Sequence, residues 1–340
     1  MSALQTRLAP AFALLNASRI PAVAASIVTR EGKRFEHLRG VANLMSGEAL
    51  TPGHQFDLAS LTKVLVTLPE VLALISGGKL ALETTVDEVL PEAGWMQDGG
   101  LKAQTIQALL SHTAGLRAWT PLYLYPADRS TLIQRVLQEA EVWTGEPGPR
   151  YSDLGFMVLG AVVERLRGQQ LDELAAARSG LTFNPTGPTV ATETDPWRGR
   201  TLQGEVHDEN AFAMQGVSGH AGAFGTLGAV TDLVERYLNE TLLPPDVLRL
   251  ARQEFAADAD VRRGLGWQLA TSDCFGGNLA SPEGYGHTGF TGTSVWTEPE
   301  RGYAVVLLTN RVHPTRHGTA GETVALRRAF HDVVHAALAK

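Results

Sequence analysis

An α+β fold is what this sequence predicts: one sheet built from both ends of the chain, with a helical lobe inserted between. Two observations carry that expectation. Strand-like runs occupy residues 20–41 and 264–310, while the stretch from Leu80 to about Asn239 reads as helices joined by Gly- and Pro-containing loops. The chain has 340 residues and no internal repeat or low-complexity segment. It therefore reads as a single domain with a large core, its sheet lobe at about 1–58 and 245–340 and its helical lobe at about 59–244.

Taken in order, residues 2–18 have the spacing of an amphipathic helix. Ile20 to Val28 follows as a buried strand, and the polar turn Arg30-Glu31-Gly32-Lys33 returns the chain along Arg34 to Val41 as an antiparallel hairpin. Phe56-Asp57-Leu58-Ala59-Ser60-Leu61-Thr62-Lys63 reads as a loop entering a helix. Val64, Leu65, Leu68, Val71, Leu72 and Ile75 continue it at helical spacing, and Gly77-Gly78 stops it. Pro69 removes one hydrogen bond, to the Leu65 carbonyl, and is expected to bend the axis. Thr105 to Ser111 forms a short helix, with Gly115 suited to the left-handed position beyond its end. Ser130 to Ala140, Leu154 to Arg167 (stopped by Gly168) and Thr231 to Leu242 are further helices. Residues 179–205 are irregular and read either as the border of a cleft or as a mobile surface loop. Gly264 to Ala270, His287 to Trp296 and Tyr303 to Asn310 are three strands, the last two joined by Glu298-Pro299-Glu300-Arg301-Gly302. Thr319 to Leu338 closes the chain as a helix.

Composition narrows the function. The net charge of −7 is spread along the chain, which gives no reason to expect nucleic acid or an anionic membrane as a partner. Cys274 is the single cysteine, so an intramolecular disulfide and a thiolate-rich metal site are excluded. No 18-residue apolar run occurs, and the first residues lack a basic segment followed by a long apolar one. A cytoplasmic protein is expected.

The chemistry centres on Ser60 and Lys63. Residues three apart share a helix face, so the amine can reach the hydroxyl. A serine hydroxyl is a poor nucleophile until its proton is taken, and a lysine can take it if burial or a nearby cation lowers its pKa. Tyr151, in Pro147-Gly148-Pro149-Arg150-Tyr151-Ser152-Asp153 at the mouth of a helix, is either a core tyrosine or a phenol placed beside that pair. In the second case a pKa lowered by the cation lets it share the proton transfer. In Gly286-His287-Thr288-Gly289-Phe290, a bare Gly289 would let a ligand carbonyl lie against the strand edge, with the Phe290 and Ser60 N–H groups facing a developing oxyanion. A plain edge strand is the alternative. His207, Asp208 and His220 invite a metal, but their spacing fits no usual zinc pattern, and a loop held by side-chain hydrogen bonds is the expectation. No metal and no cofactor are expected.

Ser60-Leu61-Thr62-Lys63, Leu109-Leu110-Ser111-His112-Thr113-Ala114-Gly115-Leu116, Tyr151-Ser152-Asp153 and His287-Thr288-Gly289, in this order, resemble the serine β-lactamase-like superfamily. The branch is that of class C β-lactamases, low-molecular-weight penicillin-binding proteins, D-aminopeptidases and family VIII carboxylesterases, and the similarity runs from about residue 20 to 335. The resemblance implies an antiparallel sheet flanked by the terminal helices, an all-helical lobe, and a cleft between them. It makes Ser60 the acylated nucleophile, Lys63 its base partner and Tyr151 a proton carrier. Asp153 stands where the family has asparagine, and His287 where it has the lysine of K-T-G, with Thr288 and Gly289 retained.

Both departures bear on substrate. An ionised Asp153 only accepts hydrogen bonds, and near Lys63 it would raise the lysine pKa. Tyr151 then carries more of the proton transfer, or Asp153 is protonated, or it points away. A mostly neutral His287 is less suited than lysine to a substrate carboxylate. The expectation is a serine hydrolase acting through a covalent acyl-enzyme, a carboxylesterase on small esters or amides. The alternatives are a β-lactamase or D-amino-acid-specific peptidase and, from another class, a non-catalytic binding protein of the same fold.

Overall fold

The computed structural model describes residues 3–95, 100–139 and 148–339. Helix α1 (Ala3–Ala17) and strands β1 (Ala22–Thr29), β2 (Arg34–Asn43) and β3 (Glu48–Ala49) open the chain. Strand β4 (Phe56–Asp57) leads through a tight turn into a π-helical turn, Lys63–Thr67, continued by α2 (Leu68–Ser76). Helices α3 (Val86–Val89), α4 (Ile106–Leu110), α5 (Arg129–Glu139), α6 (Asp153–Arg167) and α7 (Leu171–Ser179) follow. Next come β5 (Thr194–Asp195), β6 (Arg200–Thr201), α8 (Glu209–Ala213), β7 (Phe224–Gly225), α9 (Leu227–Leu238) and α10 (Pro245–Ala251). The chain ends with β8 (Ala256–Ala257), β9 (Arg262–Arg263), β10 (Gln268–Leu269), β11 (Tyr285–Thr288), β12 (Ser294–Glu298), β13 (Tyr303–Thr309) and α11 (Ala320–Leu338).

Nine strands form one antiparallel sheet in the order β3-β2-β1-β13-β12-β11-β10-β9-β8, so the two chain ends meet where β1 pairs with β13. Every residue of β1 is buried, because both faces of the sheet are covered. Alternation sorts its side chains. Val23, Ala25 and Ile27 join Leu8, Leu15, Phe330 and Val334 under the paired terminal helices α1 and α11. Ala22, Ala24 and Val28 face the other way, into the main core with Val230 and Val234 of α9 and the residues of α2 and α6. The expected α+β architecture is therefore present, with terminal helices on one face and inserted helices on the other.

Several elements differ from expectation for identifiable reasons. The run His287 to Trp296 is two strands, β11 and β12, reversed by Gly289–Thr293, where the Gly289 N–H donates to the Thr293 carbonyl at 2.7 Å. Threonine and aromatic residues in that turn have strand character, which hides it. Only Gln268 and Leu269 of the run Gly264 to Ala270 are in a strand, since the Gly266 N–H turns away to the Leu110 carbonyl. Immediately beyond α4 the left-handed C′ position is taken by His112 (φ 61°), where the Thr113 N–H closes on Ala108, and Gly115 adopts a second left-handed conformation (φ 66°) three residues further on. Helix α9 starts under a Thr226 cap, four residues earlier than Thr231, and ends at Leu238. Pro69 sits just behind the π-helical turn, so the interrupted ladder takes the form of a widened turn at Lys63–Thr67. Residues 179–205 are stitched to the body by Val190 N–H to Gln55, Ala191 N–H to Ala42 and Thr194 N–H to Pro314, which removes the surface-loop alternative. Ser2, Ala140 and Pro147, named above as ends of expected stretches, lie outside the described residues. Among those described, no helix is long and apolar enough to cross a membrane.

His331 of α11 is wholly buried against Phe275 and Trp296, and neither ring nitrogen has a hydrogen-bond partner among the described residues. Burial, with His335 and Arg327 nearby, holds its pKa well below 6.5. A group depressed in this way costs no stability above the unfolded pKa and loses stability as pH falls below it. Urea unfolding should therefore show His331→Leu losing stability less steeply than wild type below pH 6.5, by about 1.4 kcal/mol per pH unit. Equal slopes would show that His331 is not buried neutral.

Candidate active site

The turn carrying Ser60 is held from beneath. The Asp57 carboxylate accepts the Ala59 N–H at 2.8 Å and the His207 N–H at 2.6 Å. Burial pushes the Asp57 pKa up, against the pull of those donors. Ala59 has φ 47°, a left-handed conformation that costs a non-glycine residue about 1–2 kcal/mol. Asp57 on its N–H, and the Thr62 hydroxyl donating to its carbonyl at 2.7 Å, hold it there. Ser60 then projects from the turn onto the face that Lys63 shares.

Lys63 has no solvent exposure, and its Nζ donates to three oxygens: Ser60 Oγ at 3.0 Å, Asp153 Oδ1 at 2.7 Å and the His220 carbonyl at 3.0 Å. Burial alone would lower its pKa, but Asp153 raises it above the ordinary lysine value. Burial does not turn Lys63 into a free amine: as expected for an ionised Asp153 within reach, the carboxylate keeps it an ammonium. Asp153 does not point away; it is the ammonium's nearest partner.

Asp153 is aimed by its helix end. Ser152 caps α6, accepting the Gly155 N–H and donating to the Arg117 carbonyl at 2.6 Å, while its own N–H donates to His112 Nδ1 at 3.1 Å. The left-handed His112 is thus the strut that fixes the Tyr151-Ser152-Asp153 corner. The Tyr151 ring centre lies 5.0 Å from Lys63 Nζ, 4.7 Å from the His112 ring and 5.9 Å from the His287 ring. Its phenol was expected to be acidified. Instead burial, helped by Asp153, raises its pKa above 10.0 against the pull of Lys63 and Ser60, so it is a neutral O–H. His287 is buried with Nδ1–H on the Thr288 carbonyl at 2.8 Å, and burial, Lys63 and Arg263 keep it uncharged.

The β11–β12 turn is sewn onto the serine turn. Thr291 Oγ1 donates to the Asp57 carbonyl at 2.8 Å and Thr293 Oγ1 to the Leu58 carbonyl at 3.1 Å. A Cβ on Gly289 would lie 2.1 Å from Thr293 Oγ1 and 2.5 Å from the Leu58 carbonyl oxygen. Gly289 is bare because two backbones meet there, not because it borders a strand edge. That contact sets Phe290 beside Ser60, and among the described residues neither of their main-chain N–H groups has an acceptor. Two cavities open on either side, sharing Ser60, Tyr151 and Phe290. One of about 380 Å³ is lined by His287, Thr288 and three arginines; the other, about 470 Å³, by Trp119, Tyr123 and Asp208.

His207, Asp208 and His220 form the wall behind Lys63. His207 Nε2 pairs with Glu193 at 3.0 Å, and Asp208 accepts the Ala211 N–H and His220 Nε2 at 2.7 and 2.9 Å. Burial would raise the Asp208 pKa, but His220 and these donors hold it well below the usual range. Ligand atoms of Asp153, Asp208 and His220 lie within 4.8 Å of one another, but Lys63 already supplies the positive charge there, and a second cation would have to break its pair with Asp153. Asp57, His112 and the His220 carbonyl escaped the sequence reading. Only Asp57 had a signal, a carboxylate two residues before a strained position.

A family model described as Beta-lactamase matches residues 8–329. A curated protein of Escherichia coli (strain K12) named "Putative D-alanyl-D-alanine carboxypeptidase" is 33% identical over 310 residues, covering 77% of this chain and 70% of its own. Among solved structures, "EstCE1, a hydrolase with promiscuous acyltransferase activity" is similar with TM-score 0.77 and 23% identity, covering 98% of each chain. Simvastatin synthase (LovD) from Aspergillus terreus is similar with TM-score 0.73 and 19% identity, covering 99% of each. At these identities the structures show the fold.

Gly289→Ala should lower the melting temperature by the equivalent of about 1–3 kcal/mol, because the new methyl group overlaps backbone. Gly321→Ala in α11, where a Cβ would meet nothing within 4 Å, should raise it. A Gly289→Ala protein as stable as wild type would contradict the close contact of the two turns.

Proposed function

The chain belongs to the Beta-lactamase family and is a serine hydrolase, and from that premise we propose that it is a carboxylesterase acting on small esters or amides through an acyl-enzyme on Ser60. The observation that carries this reading is Lys63 Nζ at 3.0 Å from Ser60 Oγ, where two open cavities meet.

In this reading Lys63, already protonated, is not the base. Ser60 Oγ attacks the substrate carbonyl carbon. Its proton passes to the Tyr151 oxygen as Tyr151 gives its own proton to the leaving group, whose bond to the carbonyl then breaks. Tyr151 begins and ends neutral, and the fixed charge of Lys63 favours the anionic character that develops on both oxygens. The Ser60 and Phe290 N–H groups hold the oxyanion. Water then attacks the acyl ester, its proton moving to Tyr151 and the Tyr151 proton returning to Ser60 Oγ. The substrate is a small molecule; nucleic acid and membrane have no part in this chemistry. A second reading, hydrolysis of a D-alanyl peptide, is favoured by the name of the Escherichia coli relative and would place a peptidyl acyl group on Ser60 and release an amine.

A fluorophosphonate probe should label the native protein and leave Ser60→Ala unlabelled; labelling that survives would remove Ser60 from the nucleophile role. Tyr151→Phe should slow acylation by about 10²–10⁴-fold, and a near-normal rate would remove Tyr151 from the relay. p-Nitrophenyl acetate should be turned over more efficiently than nitrocefin, and the reverse order would favour a β-lactamase.

A further inference from the structure

We propose that the Phe290 ring is a specificity-determining partition, which separates the two cavities at Ser60 and limits the bulk allowed beside the reacting carbonyl. The proposal rests on the serine-hydrolase reading and names the substrate shape that the same cleft accepts.

Ser60 and Tyr151 are the floor common to both cavities, and Phe290 is the third residue they share. Its side chain is half-exposed, whereas Thr291 and Thr293 of the same turn are buried in bonds to the Asp57 and Leu58 carbonyls. The neighbours of the ring divide by cavity. Arg311 lines the smaller one and not the larger, and its guanidinium carbon lies 4.7 Å from the ring centre. His207 and Arg316 line the larger one and not the smaller. The His207 ring is stacked on Phe290 at 24° with centres 5.5 Å apart, and the Arg316 guanidinium stands at 5.7 Å. Phe290 therefore stands on the boundary, held by cation–π attraction from two guanidiniums and by a stacked imidazole.

That support is itself anchored. Glu193 is buried, accepts His207 Nε2 and the Arg316 main-chain N–H at 3.0 Å each, and pairs with the Arg316 guanidinium. Arg316 reaches Glu209 as well, at 2.7 Å. Burial would raise the Glu193 pKa, but His207 and Arg316 hold it down at about 2. His207 thereby gains a purpose in the site, as the rest against which the ring stands.

The main chain at Phe290 is pinned by the bare Gly289 before it and the Thr291 bond after it. Ring and N–H are thus set together. A carbonyl held by the Ser60 and Phe290 N–H groups has its acyl half on one side and its leaving half on the other. With the ring between them, each half is confined to one cavity, of about 380 or 470 Å³. Straight chains run away from the ring, while branching next to the carbonyl meets it.

The test is an acyl series with one leaving group: p-nitrophenyl acetate, butyrate, pivalate and benzoate. Wild type is compared with Phe290→Ala and Phe290→Trp, each of which keeps the main-chain N–H, so the intrinsic reactivity of each ester cancels. Phe290→Ala should raise kcat/KM for pivalate and benzoate relative to acetate by about 10- to 100-fold, the scale of discrimination set by methylene-sized contacts. Phe290→Trp should lower the same ratios, and His207→Ala should raise them by less than Phe290→Ala. If Phe290→Ala does not fold, Phe290→Leu, which keeps apolar bulk without the ring, replaces it with the same expected direction. A merely structural ring would change all four esters by one common factor. Ratios unchanged in this way would overturn the partition and leave the hydrolase reading intact. If wild type hydrolyses no ester, the hydrolase reading fails and the partition fails with it.

Discussion

The ammonium of Lys63, removed entirely from solvent, constrains everything around it. A buried ion costs several kcal/mol unless oxygens replace its water, and here Ser60, Asp153 and the His220 carbonyl do so. Those three acceptors come from a strained turn, a helix N-terminus and a glycine-rich loop. Each must arrive within hydrogen-bonding distance at once. The loop can do so because Gly219 lies flat on α6, where a Cβ would stand 2.1 Å from the Phe156 carbonyl oxygen. The helix end can do so because His112 accepts the Ser152 N–H. The serine turn can do so because Asp57 and Thr62 hold Ala59 in an unfavourable conformation. The sheet supplies the last piece by bringing the β11–β12 turn down onto the Asp57 and Leu58 carbonyls of the serine turn.

A charge fixed in this way changes the meaning of the site's other groups. Beside a permanent cation, two buried imidazoles, His112 and His287, stay neutral, and the Tyr151 phenol keeps its proton because burial and Asp153 outweigh the ammonium. The relay we propose therefore runs between neutral groups, with the lysine acting as a field.

Much of this was visible in the sequence, for physical reasons. The Ser60–Lys63 pair follows from helical spacing, and the terminal strands from their alternation and β-branched residues. The placement of Tyr151 follows from a capped helix start. What was hidden lacks a local signature. A main-chain acceptor such as the His220 carbonyl belongs to any residue type. The direction of Asp153 depends on His112, forty-one residues earlier in the chain. The turn inside His287 to Trp296 is written in strand-forming residues, and Gly115 was credited with a left-handed position that His112 takes first. The arginines of the smaller cavity come from segments far apart, so no local pattern marks them as a group.

The account turns on the charge state of one nitrogen, and that can be read directly. Isotope-edited NMR of the Lys63 side chain in the free enzyme, followed across pH, measures it without reference to turnover. The account predicts an ammonium that persists past the ordinary lysine value of 10.5. A neutral amine at pH 7 would contradict it and return the role of general base to Lys63.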